Sequence, residues 1–511
     1  MGLEDKYIGF LKKFPGVEDP VRRLDFRAKL KWTGAILLLY FALAQIRVFG
    51  IPADYESRFQ FLEIILGSSF GSFMTLGIGP IVTASIILQL LVGSKVIPWD
   101  LTTDKGKILF QGTQKFLAVV FSFIEAGAYV LLGAIPAATP ALAWAVILQL
   151  AMGGILVIFM DELISKWGFG SGVSLFIVAG VSKTIIIRMF NPLTQSGALP
   201  SPGTPPAGVI PYMITAAGSG DLLSAFFAFF PVISTILVFL LVVYTEAIKV
   251  EIPLAFGSIR GFGRRWPLKF FYTSNIPVIL IAALLANIQL MGRIFAQKGA
   301  TWIAKIDSQG NIIGGLLYYV TVPRSEALSG LMTSIGIFVF LGIVVAYFAK
   351  RNAIKTCILF ALLGGVFWFS FVSLLGLTSL ATITTTDILR MIGYSLVMIG
   401  GSMVFSVFWV ETAGMNAHSV AQQIHSTGMQ IPGYRRDIRI IESVLERYIP
   451  PLAVLGGAAV GFLAAFADFT NALGTGTGIL LATMIIYSLY EELTIQHLED
   501  MHPAVRRLLG R

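Results

Sequence analysis

An all-α polytopic membrane bundle, built as two halves of opposite topology, is the fold this sequence predicts. Three observations lead there. Of 511 residues, 56% are hydrophobic and only 13% are charged, against roughly 25% charged in soluble domains. Apolar runs of membrane-spanning length recur along the whole chain. Gly- and Pro-interrupted segments stand in corresponding places of the two halves, a pattern that marks the pathway in many inverted-repeat transport proteins.

The apolar runs fall at about 32–50, 74–92, 109–132, 140–160, 172–190, 227–246, 274–292, 331–349, 356–378, 392–411, 450–469 and 475–491. With the N-terminus in the cytoplasm, the segments 1–31, 93–108, 161–171, 247–273, 350–355, 412–449 and 492–511 lie inside. They hold most of the 37 Lys and Arg residues, so the positive-inside rule places both termini in the cytoplasm. Residues 1–31 are polar and amphipathic with no apolar core before Trp32, which argues against a cleavable signal peptide. Of the long outer connections, 191–226 is rich in Pro, Gly and Ser and reads as an irregular loop. The other, 293–330, contains a strand-like patch over 315–322. Both are otherwise ordinary surface linkers.

The stretch GSSFGSFMTLGIGPIVTASIILQLLVG, 67–93, organises the rest. It opens too rich in Gly and Ser for a lipid-facing helix, passes Gly77, Gly79 and Pro80, and becomes an uninterrupted apolar helix. Broken backbone at membrane depth survives only where protein or an aqueous cavity satisfies it. Ile78 and Val82 lie four residues apart on one face, and an aliphatic face on a cavity-lining helix makes a constriction that blocks ions by dewetting. Taken alone, the Gly-Pro break reads more readily as a kink without a role, and the rest of the chain shifts the balance. Its counterparts are the Gly-opened GFGSGVSLFI at 168–177, the Pro277-bearing SNIPVILIAALLANIQL and the Gly-opened GTGTGILLATMII with Gly474, Gly476 and Gly478. Once one extra hairpin is set aside, each half has five spans, and an odd-span repeat inserts with inverted topology.

The chemistry-bearing residues are sparse. Cys357 is the single cysteine, and His418, His425, His497 and His502 stand in polar loops or the tail without clustered carboxylates or thiolates, so no metal site is expected. No phosphate loop or dinucleotide fingerprint occurs; neither a cofactor nor an enzyme activity is expected. Lys115, Glu125 and Asp468 are the ionisable residues within spans, and none stands at the centre of an interrupted helix. A secondary transporter, the alternative that shares inverted repeats and broken helices, needs a polar midplane site that these helices do not supply. Two cytoplasmic loops carry arginine clusters: Arg260, Arg264 and Arg265 near Trp266, and Arg435, Arg436 and Arg439. They suit a phosphate-rich surface such as RNA or anionic lipid, or are plain positive-inside charge.

The strings LKWTG (30–34), LGIGPIVTASIILQLLVGSK (76–95), LFQGTQK (109–115), GFGSGVSLFIVAGVS (168–182), VEIPLAFG (250–257), SNIPVIL (274–280), ANIQL (286–290), FWVETAGM (408–415), RYIPPLAVL (447–455), LGTGTGILL (473–481) and YEEL (490–493) resemble the archaeal SecY family. That family is the large subunit of the Sec protein-conducting channel, and the match runs in family order from the N-terminal helix to the tail.

The resemblance implies a SecY-like bundle of ten family spans in two inverted halves, 32–190 and 227–491. A cytoplasmic segment 1–31 precedes them, an outer loop 191–226 joins them, a tail 492–511 follows, and an additional hairpin is inserted at about 331–378. It implies a pore ring at Ile78, Val82, Val173, Ile177, Ile279 and Leu481. It implies a plug over about 59–73, including Phe59, Gly67, Ser68, Ser69, Phe70, Gly71 and Phe73. It implies a lateral gate at the helices of Pro80 and Pro277, with Thr83, Gln89 and Asn287 as polar residues able to bond across it. The ribosome would dock on Arg260, Arg264, Arg265, Arg435 and Arg436. The implied function is translocation of unfolded secretory proteins across the cell membrane and lateral release of transmembrane segments. The implied partners are small single-span SecE/gamma-type and beta-type subunits, the ribosome, nascent and signal-bearing polypeptides, and lipid. The hairpin is expected to pack peripherally, away from the pore.

Overall fold

The computed structural model describes residues 3–22, 24–52, 69, 71–101, 103–194, 198–201, 204–256, 263–297, 299–307, 312–323, 325–350, 352–377, 382–426, 429–430 and 437–500. The chain is a helical membrane bundle, and each expected apolar run falls on a helix. In the first half these are α1 (Leu3–Lys13), α2 (Phe26–Leu43), α3 (Gly79–Gly93), α4 (Asp104–Leu131), α5 (Ala143–Trp167) and α6 (Gly172–Phe190). The connection carries α7 (Val209–Gly218) and α8 (Leu222–Ala228). The second half carries α9 (Phe230–Glu246), β1 (Lys249–Phe256), β2 (Gly263–Lys269), α10 (Ile276–Gln297), β3 (Lys305–Ile306), β4 (Ile312–Gly314), α11 (Glu326–Phe348) and α12 (Ala353–Leu374). It ends with α13 (Thr385–Thr412), α14 (Ala417–Ser426), β5 (Met429–Gln430), α15 (Ile438–Leu445), α16 (Ile449–Phe469) and α17 (Gly476–Asp500). Among the described residues, nine helical segments are long and apolar enough to cross a membrane. With 15 residues, α3 is shorter because it begins inside the bundle.

The amphipathic N-terminus forms α1, whose Tyr7, Ile8 and Leu11 close on Trp99, Leu109 and Phe116. The Tyr7 and Thr113 hydroxyls pair at 2.9 Å. Helix α2 begins at Phe26, earlier than hydropathy indicates, because its first turns carry Arg27, Lys29 and Lys31, good helix formers that are not apolar. Two outer connections differ from expectation. Segment 191–226 is not irregular throughout: past its Pro-rich part, VIPYMITAAG and LLSAFFA form α7 and α8, the second capped by Asp221 accepting from Ser224 N at 3.1 Å. The patch at 315–322 is not a strand. Gly315, at φ 88°, reverses the chain, and Leu316–Val320 form a 3₁₀ turn. The Leu316 and Leu317 amides donate to the carbonyls of Trp302 and Ile303, and Leu317 is buried beside Ala304 and Ile312. The strand pair itself, β3 with β4, lies just upstream.

One apolar core runs through α2 to α6, α9, α10, α13, α16 and α17, so both halves share it. They meet along two seams: α3 against α10 and α13, and α17 against α6 and α2. Helices α11 and α12 form a tight hairpin outside this core, with α11 against α9 and α16. Ser234 and Thr333 pair hydroxyls at 2.9 Å on α9 and α11, and Trp368 of α12 lies edge-on to Phe230. The outer face of α12, with Ile358, Leu362 and Val366, is exposed, as lipid-facing residues are.

Close approach depends on glycine at α5, where a Cβ on Gly153 would stand 1.9 Å from the Phe73 carbonyl oxygen. Gly153→Ala is therefore expected to cost about 1–3 kcal/mol by overpacking, read as a lower unfolding temperature in detergent. An unchanged transition would mean that the 71–78 segment yields freely.

Candidate functional site

The four interrupted segments are helix starts of two kinds, each occurring twice. Pro80 and Pro277 occupy the second position of α3 and α10, where the missing N–H is one the helix would not use. Two residues before each helix stands a left-handed residue, Gly77 at φ 51° and Ser274 at φ 55°. The first helical bonds correspond as well: Val82 N donates to Ile78 O at 3.0 Å, and Ile279 N to Asn275 O at 3.1 Å. Val82 and Ile279 each follow the proline by two residues. Upstream of α3, Ser72 Oγ and Thr75 Oγ1 donate to the carbonyls of Ser69 and Ser72, which winds this stretch into turns instead of helix.

The second pair is α6 and α17, each opened by a glycine pressed on the preceding helix. A Cβ on Gly172 would lie 2.6 Å from Asp161 Cα, and one on Gly476 would lie 1.8 Å from the Ala467 carbonyl carbon. Ile177 and Leu481 each follow that glycine by five residues.

The expected ring residues all belong to, or pack against, the core that both halves share. Ile78, Val82, Ile177, Ile279 and Leu481 are buried in the shared core, and Val173 packs half-buried against it. Every one is aliphatic.

The polar residues of α3 and α10 are brought together only in part. Thr83 Oγ1 donates to Glu125 Oε1 of α4 at 2.7 Å, inside the first half. Across the seam, Asn287 Nδ2 reaches Thr83 Oγ1 at 3.5 Å, the outer limit of a hydrogen bond. Gln89 is buried, and its Oε1 has no hydrogen-bond partner among the described residues. Two residues past Thr83, Ser85 Oγ accepts from Gln114 Nε2 at 2.7 Å, again within the first half. Sequence reasoning does not find Glu125 and Gln114 as partners of α3, although their spacing of eleven residues, close to three full turns, puts them on one face of α4.

Of the expected plug residues, Phe59, Gly67, Ser68 and Phe70 lie outside the described residues. Ser69, Gly71 and Phe73 are described. Gly71 O accepts from Val48 N at 3.0 Å and Phe73 N donates to Ile46 O at 2.9 Å, tying this stretch to the end of α2.

The two arginine-bearing loops share a sheet of order β2-β1-β5. Arg264 and Arg265 of β2 stand opposite Leu254 and Pro253 of β1, while Ala255 pairs with Gln430 of β5. Arg260, Arg435 and Arg436 lie outside the described residues. Behind the sheet, Ile252 and Leu268 pack with Val420, Ile424, Ile441 and Leu445. Tyr272 O–H donates to Met415 O at 2.7 Å, and burial pushes this phenol up to about 12, so it stays a donor at any physiological pH. Lys269, the last residue of β2, bonds Glu491 of α17 at 2.5 Å and lies over the Tyr487 ring.

Comparison with known proteins covers nearly the whole chain. A family model described as SecY matches residues 72–490, and one described as the plug domain of Sec61p matches residues 38–71. The protein translocase subunit SecY of Methanothermobacter thermautotrophicus is 42% identical over 99% of both chains. A solved protein-conducting channel superposes with a TM-score of 0.76 at 39% identity, covering 97% of this chain and 98% of that one. Sec61 from a canine ribosome-channel complex of the endoplasmic reticulum gives 0.73 at 39% identity, with the same coverage.

The Thr83–Glu125 bond is expected to couple the two side chains by about 0.6–1.7 kcal/mol, the range for such bonds in membranes. A double-mutant cycle of Thr83→Val and Glu125→Leu, followed by unfolding in micelles, measures it; additive effects would mean that the bond holds nothing.

Proposed function

We infer the working parts of this channel from one premise: the chain belongs to the SecY family, the pore-forming subunit of the protein translocase, and spans the membrane many times. The observation that carries the reading is the paired construction of the helix starts, with Ile78, Val82, Val173, Ile177, Ile279 and Leu481, all aliphatic, in or against the core shared by both halves. These six form the pore ring. An aliphatic waist expels water when empty and closes around any polypeptide without selecting for charge or hydrogen-bonding pattern. A solute transporter would need polar groups at that level; all six positions are aliphatic.

Residues 59–73 form the plug that closes the outer funnel. Helices α3 and α10 are the lateral gate, with Pro80 and Pro277 at their starts and Thr83, Gln89 and Asn287 along them. The long Asn287–Thr83 contact at 3.5 Å across this seam supports a gate that parts at little cost, releasing apolar segments to lipid. The positive-inside distribution supports cytoplasmic termini. The sheet then faces the cytoplasm, and Arg260, Arg264, Arg265, Arg435 and Arg436 of the two loops dock the ribosome, as the likeness to Sec61 of a ribosome-channel complex supports. Small single-span subunits of the SecE/gamma and beta types complete the complex. The halves run over 32–190 and 227–491, with α11 and α12 as an added peripheral hairpin.

Disulfide trapping tests the waist. A stalled secretory chain with one cysteine is expected to crosslink to both Ile78→Cys and Ile279→Cys in a Cys357→Ala background. An engaged chain that crosslinks to neither would return the reading to a transporter.

Ribosome docking has its own test. Charge reversal of Arg264 and Arg265 is expected to weaken ribosome binding about tenfold or more and to make it less steeply dependent on salt, the log–log slope falling by roughly one unit for each phosphate no longer neutralised. Unchanged affinity and slope would reduce these residues to topological charge.

A further inference from the structure

We propose that Asp161 and Asp468 are a matched pair of positioning residues that hold the first turns of α6 and α17, and through them the side chains of Val173, Ile177 and Leu481. This rests on reading those side chains as part of the waist.

The two carboxylates make the same bond at equivalent positions. Asp161 Oδ1 accepts from Val173 N at 2.9 Å, and Asp468 Oδ1 accepts from Thr477 N at 2.7 Å. Val173 and Thr477 are each the second residue of their helix, directly after the glycine that presses on the previous helix. In each case the carboxylate comes from that previous helix, α5 or α16, and not from the residue at the cap. Ser171, at the cap of α6, makes no side-chain capping bond there. Its hydroxyl lies 3.5 Å from Asp161 Oδ1. Asp468 is held further: its Oδ2 accepts from the Tyr394 hydroxyl of α13 at 2.6 Å and from the Thr477 hydroxyl.

A cap supplied by a neighbouring helix does what a local cap cannot. A local Ser or Asp at the cap satisfies an open N–H but leaves the helix free to slide against its neighbour. A carboxylate rooted one helix back fixes the start of the ring-bearing helix to a rigid element in both depth and rotation. At α6 the fixed amide belongs to Val173 itself. At α17 it belongs to Thr477, four residues before Leu481 and on the same face. Thr475 Oγ1 also accepts from Gly478 N at 2.9 Å, so α17 keeps one local cap when Asp468 is removed, and folding need not fail. The glycines make the arrangement possible, because a side chain at 172 or 476 would push each helix away from its anchor.

The test reads backbone exchange and resting ion conductance of the full-length chain, the second in planar bilayers. Asp161→Ala and Asp468→Ala are expected to speed amide exchange at Val173 and Thr477, respectively, by about tenfold, as loss of a cap does. Each is expected to raise resting conductance several-fold. Asp161→Asn and Asp468→Asn keep an acceptor oxygen and are expected to restore both readouts; Asn variants that behave like Ala would overturn the proposal. Should the Ala variants fail to fold, Tyr394→Phe removes one donor from Asp468 and is expected to give a smaller rise in conductance. No rise in that variant would count against the proposal. A variant with Ile78, Val82, Val173 and Ile177 all changed to Ser separates the two readings. If it conducts while the Ala variants, exchanging faster, stay closed, the anchors do not position the waist and the waist stands. If it too stays closed, the waist reading falls and the anchors lose the role proposed here. Unchanged exchange at Val173 and Thr477 overturns the anchors directly.

Discussion

A helix start buried against the rest of a protein must account for its first backbone N–H groups, because little water is there to accept them. Four helices of this protein start with a buried proline or glycine, and much of the architecture follows from how each meets the obligation. At α3 and α10 the solution is subtraction: a proline at the second position has no N–H to satisfy, and a left-handed residue just before it turns the chain into the helix. At α6 and α17 the solution is supply, with an aspartate on the preceding helix accepting the second amide. Both solutions hold the helix start in place, and the aliphatic residues expected at the waist stand at that start or within about a turn and a half of it.

Rigid starts and a loose seam suit a channel that must open. The backbone beneath the aliphatic residues is fixed by proline, glycine contact and carboxylate. The contact between α3 and α10, in contrast, is mostly apolar, with a 3.5 Å reach from Asn287 to Thr83 as its polar link. Apolar contacts between helices can be exchanged for contacts with lipid at small cost, since lipid tails are as apolar as leucine. The stronger bonds of α3, Thr83 to Glu125 and Ser85 to Gln114, lie within the first half and would keep that half intact if the seam parts. On the other seam, α17 is tied to the sheet through Lys269 and Glu491, so the strand that includes Arg264 and Arg265 is joined to a helix of the core.

The paired-helix logic is legible in the sequence because it rests on residue types with backbone consequences: Pro80 and Pro277, and the glycines before Val173 and Leu481. The apolar runs are legible for the same reason, being set by a solvent whose thickness is known. Composition and conformation part company at two places. The prolines and glycines of 191–226 suggest an irregular loop, yet the apolar stretches behind them have room to form α7 and α8. The patch at 315–322 has strand-forming residues, but Gly315 and the burial of Leu317 make a turn of it.

By itself, then, the sequence determined the membrane solvent, the positions of the spans and the four places where helices break, since hydropathy and backbone stereochemistry act locally. Only the tertiary structure decided which groups would answer at those breaks. Asp161 and Asp468 each lie on the helix just before the one they cap, so proximity along the chain is not what hides them. What makes them caps is the close packing of Gly172 on Asp161 and of Gly476 on Ala467, a distance that no spacing encodes. The same holds for the sheet, where Ala255 meets Gln430 from far along the chain and draws two basic loops to one surface. Contacts of that kind depend on how helices stack, and stacking is settled by the shape of whole faces rather than by any one stretch of residues.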